Sequence, residues 1–428
     1  MNEKMKHSKV ALLGLQHMFA MFGATILVPL LSGLSVQTTL FSVGIGTLIF
    51  HLFSKGKVPA FLGSSFAFLV GIQLITDPET GLFAGSGLEL VEKLSYATGG
   101  ILVSGLVYLL FALLVKVIGV KKFMELLPPT ITAPTVILIG IMLAPFAISQ
   151  SSNNLILAVV TLAIVVIASS WGKGIVKLTP ILLGIAGAYI LALIMHAAGM
   201  TNPDGSAILD FTNAANASIV GIPPFMMPRF NLIAILIMIP FAIATIAEHV
   251  GDMVALSTIT GEDFIKEPGL SRTLMGDGVA SMFSGFIGGP ASTTYGENVG
   301  VVALTRIFNP RVVMVAAIYA TILSFSPIVE AVINSVPAAI IGGASFMLYG
   351  MIAAVGIRNL VDAKVDVSKT KNLTIIAIML VTGLGLRFGP RITFMLGYTE
   401  IPIDRLGIAI AVIVGVILNV ILPDEKEI

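Results

Sequence analysis

The sequence contains no cysteine. That excludes disulfides, thiolate metal sites and cysteine nucleophiles, and leaves the redox compartment unread. Charge is scarce: 11% of the 428 residues are Asp, Glu, Lys or Arg, where a soluble domain carries about 25%. The formal net charge of +1 gives no electrostatic case for nucleic acid. No Walker motif is present, which argues against ATP-driven pumping. The Glu-His-x-x-Asp run at 248–252 lacks the two histidines one turn apart that a zinc protease needs. No nucleophile–base pair or metal set emerges, so the chain does not read as an enzyme or as a cofactor binder.

What the chain has is apolar sequence, 56% of its residues. A membrane-crossing helix needs about 20 mostly apolar residues. Such runs lie near 10–32, 36–54, 98–119, 124–148, 154–171, 176–199, 230–256, 273–288, 311–333, 337–356, 372–388 and 403–422. Two further segments, 59–75 and 290–305, open with Pro and carry Gly, Ser or Thr in their middles. Counted as crossings they bring the total to fourteen. The basic start "MNEKMKHSK" leads into apolar runs that never stop, so the first reads as a retained span rather than a cleaved signal.

Lys and Arg orient the chain, because cytoplasmic loops carry their excess. With both termini inside and fourteen crossings, nineteen of the 24 Lys and Arg residues fall on the cytoplasmic side. Dropping either odd segment inverts every later loop and spoils that bias. The segments 77–95 and 200–228 then become external loops, the second joining two halves. "KVPAFLGSSFAF" (57–68) matches "GGPASTTYGENV" (288–299), and "LQHMFAMFGA" (15–24) matches "AEHVGDMVAL" (247–256), both at an offset of about 230 residues. Seven crossings per repeat is odd, so the halves are expected to be inverted. Inverted repeats with broken central segments are a transporter design with the substrate near the midplane.

Ionisable residues at membrane depth are costly and mark function by default. Here they are His17, Glu248, His249, Asp252, Asp277 and Glu297. Glu248 and Asp252 are four apart and share a helix face. Like charge and burial both favour holding a proton there, as a proton-coupled carrier requires. If 290–297 is extended, its free N–H groups can donate to substrate carbonyls, and Glu297 can accept from a substrate N–H. Phe66 and Tyr295-Gly296, at matched positions of the repeats, are expected to meet at the centre, with simple packing as the alternative. Together these groups suit a neutral planar molecule with alternating C=O and N–H groups. His17, beside Gln16, reads as a hydrogen-bonding strut, with a proton role as the alternative. Asn298 reads as a bracing residue, Asp277 as structural and paired with a cation at the inner mouth, and Arg306 as the cytoplasmic boundary of its span.

"ENVGVVALTR" (297–306) resembles the signature of the nucleobase/ascorbate transporter family: Glu, Gln or Pro, then Asn-x-Gly, four residues, Thr, and Arg, Lys or Gly. "LQHMFAMFGATILVP" (15–29), "GSSFAF" (63–68) and "AEHVG" (247–251) resemble its first, third and eighth segments. The resemblance runs from residue 10 to about 420. It implies an all-α polytopic membrane protein of fourteen segments in two inverted sets of seven, with two short antiparallel strands in segments 3 and 10. It implies a core domain (10–119 and 228–333) and a gate domain (120–199 and 337–422), often in a homodimer. It also implies proton symport of a nucleobase across a bacterial cytoplasmic membrane by alternating access. Members with Glu at the signature's first place resemble carriers of uracil, and those with Gln carriers of xanthine and other purines; Glu297 points to uracil, with a purine as the alternative. Carried over, Glu248 and Glu297 would bind uracil N–H groups, Phe66, Tyr295 and Gly296 would contact it, and Tyr349 would face the site from the gate domain. Glu248, Asp252 and His17 are the candidates for proton coupling, with Asn298, Gln16 and Tyr349 supporting. Uracil permeases can carry His at the position of Asp252, which leaves its share in the proton open.

Overall fold

A computed structural model describes residues 6–126, 128–294, 296–390, 392–396 and 399–423. Tyr295, which the sequence gives a site contact, lies outside the described residues, as do Lys4, Arg391 and Lys426 among the cations that orient the chain.

The described chain is mostly helical. The first half runs α1 (His7–Ser32), α2 (Val36–Phe53), β1 (Gly63–Ser64), α3 (Ala67–Thr76), α4 (Leu90–Ile118), α5 (Val120–Leu126), α6 (Pro129–Ser152), α7 (Leu155–Trp171), α8 (Ile175–Leu178) and α9 (Pro180–Ala197). After a short α10 (Thr212–Asn216), the second half runs α11 (Leu232–Thr260), α12 (Leu270–Phe286), β2 (Ser292–Thr293), α13 (Gly296–Thr305), α14 (Pro310–Leu323), α15 (Pro327–Asn334), α16 (Ala338–Asp362) and α17 (Thr370–Phe388). A hairpin of β3 (Thr393–Leu396) and β4 (Thr399–Pro402) leads to α18 (Gly407–Ile421).

The helix ends follow local chemistry. The Ser35 hydroxyl accepts from Thr38 N at the start of α2, and Asn231 accepts from Ile233 N and Ala234 N at the start of α11. Such caps satisfy donors that the first turn leaves orphaned. At the other end, α11 stops at Gly261, whose φ of 76° is a left-handed conformation that glycine adopts without strain.

Every apolar run expected from the sequence contains a helix. Among the described residues, eight helices are long and apolar enough to cross a membrane on their own. One expectation is corrected. The run 311–333 is not one straight span but α14 and α15, bent by 86°. The break falls at Ser326-Pro327. Proline has no N–H to continue the ladder and disfavours helical backbone in the residue before it. The hairpin at 393–402 was not foreseen. The helix α4 also begins earlier than expected, at Leu90, where Glu89 and Glu92 form a capping box.

The helices pack in two groups. In one, α12 lies against α4 and α2, α14 against α2 and α1, and α11 against α4 and α3. In the other, α16 lies along α6 and α7, α7 against α9, and α17 against α18 and α6. Leu110, Val117, Val159, Ile194 and Val420 are among the large apolar side chains left exposed on outer helices, a surface suited to hydrocarbon rather than water.

Candidate functional site

The site is built around a ladder only two residues long. β1 and β2 pair antiparallel, Gly63 opposite Thr293 and Ser64 opposite Ser292. Ser65 N extends the pairing by donating to Ala291 O at 2.9 Å. Irregular backbone at membrane depth survives only where its polar groups find partners. Here the surrounding helices supply them. Thr47 Oγ1 accepts from Leu62 N at 3.0 Å, Ser281 Oγ donates to Ser292 O at 2.9 Å, and Ser284 Oγ donates to Pro290 O. Ser64 Oγ in turn donates to Thr25 O on α1 at 2.8 Å.

A helix starts just beyond each strand, α3 after Phe66 and α13 at Gly296. The first turn of a helix has N–H groups with no intrahelical acceptor, and its end carries positive partial charge. Two such ends therefore flank the ladder. Glu297 lies in the first turn of α13, where a carboxylate is electrostatically favoured.

Glu248, His249 and Asp252 all lie on α11, but not on one face. Adjacent helical residues are about 100° apart, so Glu248 and His249 look in different directions. His249 is fully buried. Its Nδ1 is 3.0 Å from Asp277 Oδ2 and 2.7 Å from Thr294 Oγ1, and its Nε2 is 2.9 Å from Thr273 Oγ1. Asp277 Oδ2 also accepts from Thr294 N at 3.0 Å. This corrects the expectation for Asp277: it is 0% exposed, and its partners are His249 and Thr294 rather than a cation at an inner mouth. It sits in the middle of α12, which α4 and α2 enclose. The sequence named both residues as intramembrane ionisables but did not pair them. The signal was there: His249 neighbours a residue assigned to the site, so its own side chain points elsewhere and needs a buried partner.

Glu248 and Glu297 are half-buried, and no side chain among the described residues hydrogen-bonds either of them. Gly251 lies one turn beyond Glu248, and Gly300 one turn beyond Glu297. A Cβ at Gly251, Gly296 or Gly300 would meet no atom of the other described residues within 4 Å. The faces of α11 and α13 that carry the two glutamates therefore border open space. Asp252, one turn beyond Glu248, is 8% exposed and its Oδ2 has no partner among the described residues.

The other expected residues divide. His17 and Asn298 meet directly, His17 Nε2 lying 3.1 Å from Asn298 Oδ1, both buried. Asn298 Oδ1 also accepts from Phe61 N, and its Nδ2 donates to Pro59 O. Asn298 thus bridges α1 and the approach to β1. Gln16 is half-buried and lines a separate cavity. Phe66 is buried at the start of α3, and Tyr349 is buried in α16; among the described residues neither hydrogen-bonds Glu248 or Glu297.

Comparison with known proteins follows the same lines. Residues 8–392 match the Permease family Xan_ur_permease. The chain is 41% identical to the uracil permease of Bacillus subtilis, over 96% of this chain and 92% of that one. It is 37% identical to a probable uracil permease of Pasteurella multocida, with 98% and 95% covered, and 39% identical to the putative pyrimidine permease RutG of Escherichia coli, with 90% and 85% covered. In fold it is similar to the transmembrane domain of the cyanobacterial bicarbonate transporter BicA, with a TM-score of 0.65 at 14% identity and 98% of each chain covered. It is similar also to SLC26A9, with a TM-score of 0.66, again at 14% identity, covering 97% of this chain and 66% of that one.

Proposed function

The chain belongs to the nucleobase/ascorbate transporter family, and from that membership we propose that it imports uracil together with protons across a bacterial cytoplasmic membrane. It is a multi-pass membrane protein of the permease class. The observation that carries the choice of ligand is the pair of glutamates, Glu248 and Glu297, each without a side-chain hydrogen bond among the described residues and each on a face bordering open space. A neutral ring with alternating N–H and C=O groups satisfies carboxylates with its N–H groups and helix N-termini with its carbonyls. An anion would meet two acidic side chains. The names of the relatives support uracil in particular.

In this reading the N–H groups of uracil face Glu248 and Glu297, and Phe66, Tyr295 and Gly296 contact the ring. Tyr349 closes the site from the opposite group of helices. Glu248 takes a proton from outside, with Asp252 and His17 as its neighbours in coupling. The two packing groups act as core and gate, and the fourteen segments form two inverted sets of seven with both termini in the cytoplasm. Movement of one group against the other exposes the site to each side in turn. A ligand shifts such an equilibrium only through unequal affinity for the two states. Protonation at Glu248 therefore has to favour the loaded state. The protein works as a homodimer in the bilayer.

The test is radiolabelled uracil uptake into proteoliposomes, with and without an inward proton gradient, for wild type and Glu297→Gln. Uptake that falls at least ten-fold without the gradient, and again with the substitution, supports symport and the site. Gradient-independent uptake overturns the coupling. Uptake of xanthine but not uracil overturns the substrate.

A further inference from the structure

A cavity of about 760 Å³, whose lining includes neither Glu248 nor Glu297, lies where α1, the end of α13 and the segment around α8 come together. Its size falls in the range of small-molecule sites. Its charge has one sign. Lys9 from α1, Arg306 from the end of α13 and Lys177 from α8 all line it, and no Asp or Glu among the described residues does. None of the three cations has an ion-pair partner among the described residues. All three are exposed. Gln16, Thr305 and Asn309 add neutral hydrogen-bonding groups, while Leu13, Leu178 and Phe308 give the cavity an apolar wall.

An excess of Lys and Arg at cytoplasmic ends accounts for cations on this side of the protein. It does not account for three of them, on three separate elements, converging on one concave space that no carboxylate of the described residues lines. Like charges brought together repel, and an anion between them relieves that repulsion. Arg presents a planar fork that matches phosphate oxygens, and Lys serves as a point charge beside it. The apolar wall suits an organic group attached to the phosphate.

Arg306 is placed for this by its backbone. It follows the last turn of α13 with φ of 53°, a left-handed conformation unusual for a residue with a side chain. Its N–H closes the helix by donating to Val302 O at 2.9 Å. The chain therefore turns sharply at Arg306, and Ile307, Phe308 and Asn309 continue around the same cavity.

We propose that this cavity is a binding site for a phosphate-bearing organic anion, either a soluble nucleotide or the headgroup of an anionic lipid. Lys9 lies on α1 and Arg306 at the end of α13, which packs against α11 and α1 of the first helix group, and Lys177 lies between α7 and α9 of the other group. A ligand spanning them ties the two groups together. It therefore slows any cycle in which they move apart.

The test uses the full-length protein purified in detergent and two probes. Equilibrium dialysis measures binding of radiolabelled uridine 5′-monophosphate. Native mass spectrometry measures retention of phosphatidylglycerol against phosphatidylcholine. Lys9→Gln/Lys177→Gln is compared with Lys122→Gln/Lys266→Gln, which removes the same charge from exposed positions outside the cavity. Thermal unfolding confirms that both variants fold, and if the first does not, each single cavity variant replaces it. The site is supported if wild type binds either probe and the cavity variant binds it at least ten-fold more weakly while the control does not. Binding of the nucleotide identifies a soluble ligand, and retention of phosphatidylglycerol alone identifies a lipid. Failure of wild type to bind either probe, or equal weakening in both variants, overturns it.

Discussion

His17 and Asn298 are 281 positions apart in sequence and share one buried hydrogen bond of 3.1 Å. The bond also fixes a proton. Asn298 Nδ2 donates to Pro59 O, so its Oδ1 faces Phe61 N and the imidazole as an acceptor. His17 must then carry its hydrogen on Nε2. Asn298→Ala strands the His17 N–H, the Phe61 N–H and the Pro59 carbonyl at once. The expected loss is about 1–3 kcal/mol, the cost of leaving buried polar groups unpaired. Thermal unfolding of both single variants and the double variant measures it. The double variant should lose less than the sum of the singles. Strict additivity would show that the two side chains do not interact.

Asp277 holds the end of β2 through Thr294 N and Thr294 Oγ1 while it pairs with His249. Asp277→Ala should lower stability by about 2–3 kcal/mol, since the bonds lost involve a charged or polar buried acceptor. Asp277→Asn keeps one acceptor oxygen and should fall between. An alanine variant that unfolds at the wild-type temperature would refute the role.

Gly251 separates stability from transport. It lies inside α11, where Gly costs about 0.5–1 kcal/mol relative to Ala, and a Cβ there meets nothing. Gly251→Ala should therefore raise the unfolding temperature slightly. If the open space beside Glu248 is where the substrate passes, the same methyl should raise the KM for uptake. A stabler protein with unchanged uptake would place the substrate elsewhere.

The 77–81 turn gives a pH dependence outside the membrane. Burial resists charge on Asp77, but Thr80 N, Thr80 Oγ1 and Glu79 N donate to it and hold its carboxyl below the ordinary 3.8. A carboxylate lowered in the folded state stabilises above its unfolded value, and that contribution is lost as pH falls through the folded one. The difference in unfolding temperature between wild type and Asp77→Ala should be constant above about pH 5 and shrink below the ordinary carboxylate value. A difference that grows on acidification would contradict the sign.

Much of this was legible in the sequence because the bilayer imposes simple rules. Long apolar runs become helices, so most segment positions were readable to within a few residues, although α4 begins well ahead of its run, at Leu90. The odd segments at 59–75 and 290–305 announced themselves by Pro and small polar residues, and their strands pair. Glu248, Glu297, Asn298 and His17 stood out because ionisable and amide groups are rare at that depth. What the sequence hid was pairing. Nothing in the spacing of His249 and Asp277 says that they touch, because α11 and α12 are joined by a turn whose geometry sets their relative rotation. The bend between α14 and α15 was missed because hydropathy averages over Ser326-Pro327, while the backbone does not.

The two-residue ladder has a consequence for biosynthesis. Gly63 waits for Thr293, which is made 230 residues later. At about 5–20 residues per second, that delay is about 10–50 s. During that time the first segment, already among apolar helices, lacks its strand partner. The Thr47 hydroxyl is at hand to accept from Leu62 N while the ribosome works. The central ladder therefore closes only in the second half of synthesis, and the first half alone is a structure with an open seam.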